Sequence, residues 1–198
     1  MRYSLAVPRA ARLLLVALLL ILATACGEEA RGLPPKDGAS LAEAFQPYFD
    51  PLGLEFTYGG LEDFPAGKHL ALYVEPNGPA TDQQYLDRLM ASASALVPVI
   101  FGTYPGLNSF DICQEPVPAG PDDPDKPTPR TVLVIGRRQA STVDDWSTAT
   151  LADLIAATRT GTGGEVTVDE AIAQLPGYLD AVAEADRRGS SPDEPGGY

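Results

Sequence analysis

Histidine and cysteine are nearly missing from this chain: it has one histidine, His69, and two cysteines, Cys26 and Cys113. A structural zinc site draws four ligands mostly from these types, so an ordinary one is excluded. Two cysteines close at most one bridge, which excludes a disulfide framework. Positive charge is scarce as well. Fourteen Lys and Arg stand against 27 Asp and Glu, a formal net charge of −13. A surface this acidic repels polyanions, so nucleic acid is not expected as a partner.

Several catalytic signatures are absent too. No G-x-S-x-G nucleophile elbow occurs. "TGTGGE" (160–165) lacks the Lys-Ser/Thr of a phosphate-binding loop and follows an expected helix, so it reads as a helix-to-helix connection. Asp122, Asp123 and Asp125 offer oxygens without the glycine and distal glutamate of a calcium loop, which leaves a solvated acidic loop. His69 and Cys113 have no motif around them that marks a thiol enzyme, and a lone Cys among strand residues reads as a small buried apolar group. No metal and no cofactor is expected.

What is present begins with the leader. Arg2, Arg9 and Arg12 precede a ten-residue apolar run, "LLLVALLLIL" (Leu13–Leu22), followed by "ATA" and Cys26. Ten residues rise only about 15 Å as a helix, half of a bilayer's hydrocarbon thickness. Basic start, apolar middle and small residues are the three parts of a secretory signal. The cysteine after them resembles the lipobox of bacterial lipoproteins, with Ala23 where the commonest pattern has Leu. That resemblance covers Met1–Cys26 only. It implies cleavage after Ala25, acyl chains on Cys26 and a chain held on the outer face of the cell membrane. Several acyl chains hold durably, since each buried methylene adds about 0.8 kcal/mol. Losing three arginines and no acid would take the net charge to about −16.

After the expected signal peptide (1–25), residues 26–39 read as a lipidated cysteine and flexible tether, broken by Pro34 and Pro35. "SLAE" from Ser40 reads as a capping box opening a short helix. "LEFTY" (54–58) and "HLALYVE" (69–75) alternate like strands around a turn-rich "GGLEDFPAGK". "TDQQ" from Thr81 opens the strongest helix, with Pro98 expected to kink or end it. "SFDICQE" (109–115) and the apolar run Val132–Ile135 follow as strands, then a helix capped by Thr150 and Asp153. "TVDE" from Thr167 reads as the start of a last helical stretch.

The expected fold is therefore α+β: a two-layer sandwich with a mixed, mostly antiparallel four-stranded sheet, order α-ββα-ββα-α, and helices mainly on one face. A single domain is expected over 40–188, with a disordered tail at 189–198. The long helix between Glu75 and Ser109 makes the strands it joins parallel if they are neighbours.

By two-residue alternation Asp111, Cys113 and Glu115 share a face. Glu75 lies on another strand, and Arg137 with Arg138 closes a third, within reach of those acids. Glu75, Asp111, Glu115 and Arg137 are the candidate binding face, read as cross-strand ion pairs on a solvated sheet. Catalytic residues are not assigned. The leading expectation is a non-catalytic cell-envelope lipoprotein whose domain binds or supports a protein partner or envelope component. An envelope hydrolase using those carboxylates and a small solute-capture lipoprotein are the alternatives.

Overall fold

The computed structural model of the chain describes residues 32–116 and 128–189. The leader with Cys26, the loop with Asp122, Asp123 and Asp125, and the last nine residues lie outside the described residues.

A helix α1 (Gly38–Phe49) and a 3-10 turn (Asp50–Leu52) lead into the hairpin β1 (Leu54–Phe64) and β2 (Gly67–Pro76). Helix α2 (Asp82–Thr103) crosses to β3 (Leu107–Gln114), which pairs with β4 (Thr131–Gly136). Then come α3 (Arg137–Ala140), α4 (Leu151–Arg159), β5 (Glu165–Val168), α5 (Glu170–Ala173) and α6 (Pro176–Gly189). The five strands form one mixed sheet in chain order, β1-β2-β3-β4-β5. Only β2 and β3 are parallel, as the helical crossover requires.

The sheet has five strands, not the expected four. Val166 and Val168 alternate with polar Glu165 and Thr167, and the segment pairs along the free edge of β4. "TVDE" is thus not a helix start. The cap is two residues later, where the Asp169 carboxylate accepts from the Ile172 N–H.

The hairpin is also longer than its turn residues indicate. "GGLED" is strand, and Phe64 pairs with Gly67 around a two-residue turn. Gly59 has to be glycine: a Cβ there would sit 2.9 Å from the Ala71 carbonyl oxygen. Gly67, at φ +123°, turns the chain where other residues are strained.

The folded part begins before Ser40. Asp37 is the N-cap of α1 and accepts from the Ser40 N–H at 2.9 Å. Upstream, the Gly32 carbonyl accepts from Gly106 N–H at 2.7 Å, and Pro34 is buried. In α2 the expected capping box forms between Thr81 and Gln84, but Pro98 does not end the helix. Pro98 is exposed, so the backbone acceptor it leaves unpaired lies on the helix's wetter side.

Alternation divides the sheet residues into two sets. Leu70, Leu72 and Val74 of β2, Phe110 and Ile112 of β3, and Leu133 and Ile135 of β4 join one buried cluster. Phe45 and Phe49 of α1 and Leu89, Leu96 and Ile100 of α2 complete it. Each such side chain taken from water contributes about 1.5–3 kcal/mol. A second small cluster joins Ala152 and Ile155 of α4 to Ala181 and Ala185 of α6. By length and composition α2 is also apolar enough to cross a membrane, but its stripe is spent on this core.

Candidate functional site

The second set of sheet residues carries the polar chemistry. Register places His69 opposite Ser109, Ala71 opposite Asp111 and Tyr73 opposite Cys113 on the parallel β2–β3 pair. Glu55 lies opposite Glu75, and Tyr58 opposite Tyr73, on β1–β2. The bulge between Phe56 and Tyr58 puts Tyr58 in line with this face.

At one end, His69 is 5% exposed and has a polar neighbour near each ring nitrogen. Nδ1 is 2.8 Å from Ser109 Oγ, and Nε2 is 3.3 Å from Asp111 Oδ2. The other oxygen of Asp111 accepts from the Leu72 N–H at 3.2 Å. The Phe64 ring stands edge-on to the imidazole, 4.9 Å between centroids.

In the middle, burial pushes the Cys113 thiol up to about 12, helped by the charges of Asp111 and Glu115. Burial likewise raises the Tyr73 phenol to about 12, with the Cys113 and Asp111 charges next. A thiol held protonated is no nucleophile. Cys113 is four residues along β3 from Ser109, about 13 Å, so His69 does not serve it.

At the other end three carboxylates gather. The Glu115 N–H donates to the Val74 carbonyl at 2.8 Å, which brings Glu115 beside Glu75. Burial raises the pKa of Glu75, and the charges of Glu55 and Glu115 raise it further. Among the described residues none of the three makes a salt bridge. Glu115 accepts from the Thr57 hydroxyl at 3.4 Å.

Of the four residues singled out from sequence, Glu75, Asp111 and Glu115 thus share a face, and Arg137 does not join them. Its guanidinium donates to the carbonyls of Phe101 (2.7 Å), Tyr104 (2.6 Å) and Leu107 (3.1 Å), closing the C-terminal end of α2. It also lies over the Phe101 ring, 4.8 Å from the centroid. The expected cross-strand pairing of Arg137 with the acids is absent, because its guanidinium is turned instead to these three carbonyls at the junction of α2 and β3.

Ser109, Phe64 and Tyr58 were not singled out. The signal for Ser109 was its spacing: it precedes Asp111 by two residues, which puts both on one face.

Two depressions flank this face. One of about 520 Å³ is lined by Ala66, Asn108, Ser109, Gly136, Arg138 and Thr162, among others. The other, about 900 Å³, holds Glu55 and Glu75 with Gln46 and Asn77. Among the described residues no group of three or more His, Cys, Asp and Glu is placed to hold a metal ion.

No family model, curated protein or solved structure matches this chain.

Proposed function

We propose that this is an envelope lipoprotein, anchored through Cys26 on the outer face of the cell membrane, whose domain binds a cationic segment of a protein partner. In this reading the helices form one layer on the Leu72 face of the sheet. The Tyr73 face is the one offered to the partner.

The observation that carries the reading is Tyr58. It is 64% exposed and rests against Tyr73 at 5.7 Å between centroids. Glu55 and Glu75 flank it on one side, and Glu62 lies beyond it along β1. Ring faces beside carboxylates attract a lysine or arginine side chain through both cation–π and ionic terms. Bringing a cation to Glu75 would also relieve the crowding of charge with Glu55 and Glu115.

The test uses the secreted chain and three labelled peptides: poly-arginine, poly-lysine and poly-glutamate. Binding is read by fluorescence anisotropy across a salt series. Both basic peptides bind in this account, more weakly as salt rises, and the acidic one does not. Tyr58→Ala with Glu75→Gln weakens binding at least about tenfold, as the loss of a cation–π contact and an ion pair requires. Equal affinity of that double variant for both basic peptides would refute the assignment of this face.

A further inference from the structure

The His69 cluster joins an imidazole, a hydroxyl and a carboxylate on two neighbouring strands. Asp111 Oδ2 lies 3.3 Å from Nε2, and an ionised carboxylate there favours the tautomer of the neutral ring that carries its proton on Nε2. Nδ1 is then left with a lone pair, and the hydrogen in the 2.8 Å contact is that of the Ser109 hydroxyl. A serine hydroxyl donating to an imidazole held from behind by a carboxylate is the arrangement that activates a nucleophile for acyl transfer, whichever ring nitrogen faces which partner.

The cluster is also pre-organised. Ser109 and Asp111 come from one strand and His69 from the next, so the ladder itself fixes their spacing. The Leu72 N–H holds Asp111, and Phe64 covers the ring. Ser109 is half-buried and borders the depression of about 520 Å³ that also presents Arg138, an exposed cation able to stabilise a developing oxyanion.

We infer that Ser109 is a nucleophile, with His69 as its general base and Asp111 as a positioning residue, for hydrolysis of carboxylic esters with an acyl group small enough for that depression. Ser109 Oγ adds to the ester carbonyl carbon as its proton passes to Nδ1 of His69. The tetrahedral adduct collapses, the C–O bond to the alcohol breaks, and the alcohol leaves with that proton. Water then adds to the acylated serine, again giving a proton to Nδ1. The acid departs as that proton returns to Ser109 Oγ, so one ester and one water become an acid and an alcohol.

The test uses the purified secreted chain with an alkyl fluorophosphonate and 4-nitrophenyl acetate. Peptide mass spectrometry of wild type should locate the phosphonyl adduct on Ser109, and ester hydrolysis should exceed the buffer rate. Ser109→Ala abolishes both, and Ser141→Ala, in the same depression, changes neither. His69→Gln, checked as folded by circular dichroism, slows labelling at least about a hundredfold. Asp111→Asn slows labelling and shifts the pH at which its rate is half-maximal. Folded wild type without an adduct on Ser109 overturns the inference. So does labelling of folded His69→Gln at the wild-type rate.

Discussion

Arg137 Nη1 donates to the carbonyl oxygen of Phe101 at 2.7 Å while its guanidinium lies over the ring of the same residue. One side chain thereby ends α2, starts β3 and seals a ring that packs 5.3 Å from Phe110. Removing it takes a charged donor from three carbonyls at the junction of α2 and β3, of which that of Tyr104 keeps the Leu107 N–H. Arg137→Ala should lower unfolding free energy by about 2–4 kcal/mol, measured by urea denaturation. Arg137→Lys should recover less than half, because an ammonium has no planar fork to span three acceptors.

Gln46 protects the outer edge of the sheet. Its Oε1 accepts from the Phe56 N–H at 2.8 Å and its Nε2 donates to the Leu54 carbonyl at 3.0 Å, as a neighbouring strand would. Such an edge is otherwise open to pairing with another chain. Gln46→Ala should cost about 1–2 kcal/mol and speed hydrogen exchange at the Phe56 amide. Unchanged exchange there would remove Gln46 from this role.

The crowded acids give a pH signature. The folded-state pKa of Glu75 is raised above the ordinary 4.5, so its ionisation opposes folding. That penalty is absent below the ordinary value and present once pH exceeds the raised one. Glu75→Gln should therefore stabilise the protein at neutral pH, and the gain should vanish below about pH 4. A gain that persists in acid would mean that packing, not charge, is responsible.

Asp169 runs the other way. Burial alone would raise its pKa, but donation from Arg130 and from the Ile172 amide outweighs it, and the net direction is down from 3.8. Its stabilising effect is complete above the ordinary value and is lost as pH falls through the lowered one. Arg130 bridges Asp169 at the start of α5 to Asp82 at the start of α2, 2.6 Å away, with its guanidinium 4.9 Å from the Tyr85 ring centroid. Asp169→Asn should be less stable than wild type at neutral pH, and the two should converge as the pH approaches about 2. Equal stability of the two at neutral pH would contradict this.

Local signals carried most of the fold that could be read in advance. The capping pairs Thr81–Gln84 and Thr150–Asp153 are where their spacing puts them, because a cap is decided within four residues. The helix between β2 and β3 made them parallel on the condition that they were neighbours, and their register shows that they are. What escaped was decided by distant partners. Glu165–Val168 is a strand only because β4 has an edge to offer, and its "TVDE" imitates a cap. Gly59 and Gly60 look like a turn until Ala71 and Leu72 pair with them. The face shared by Asp111 and Glu115 was legible by alternation. That Ser109 faces His69 depends on cross-strand register, and the duty of Arg137 depends on where α2 ends.

The most direct measurement is metabolic labelling of the natural host with an alkyne fatty acid, followed by fractionation. Wild type should carry the label and sediment with membranes, its mature chain beginning at Cys26. Cys26→Ala should carry none and leave the membrane fraction. An unlabelled wild type, or equal label on Cys26→Ala, would contradict the account of an anchored envelope module.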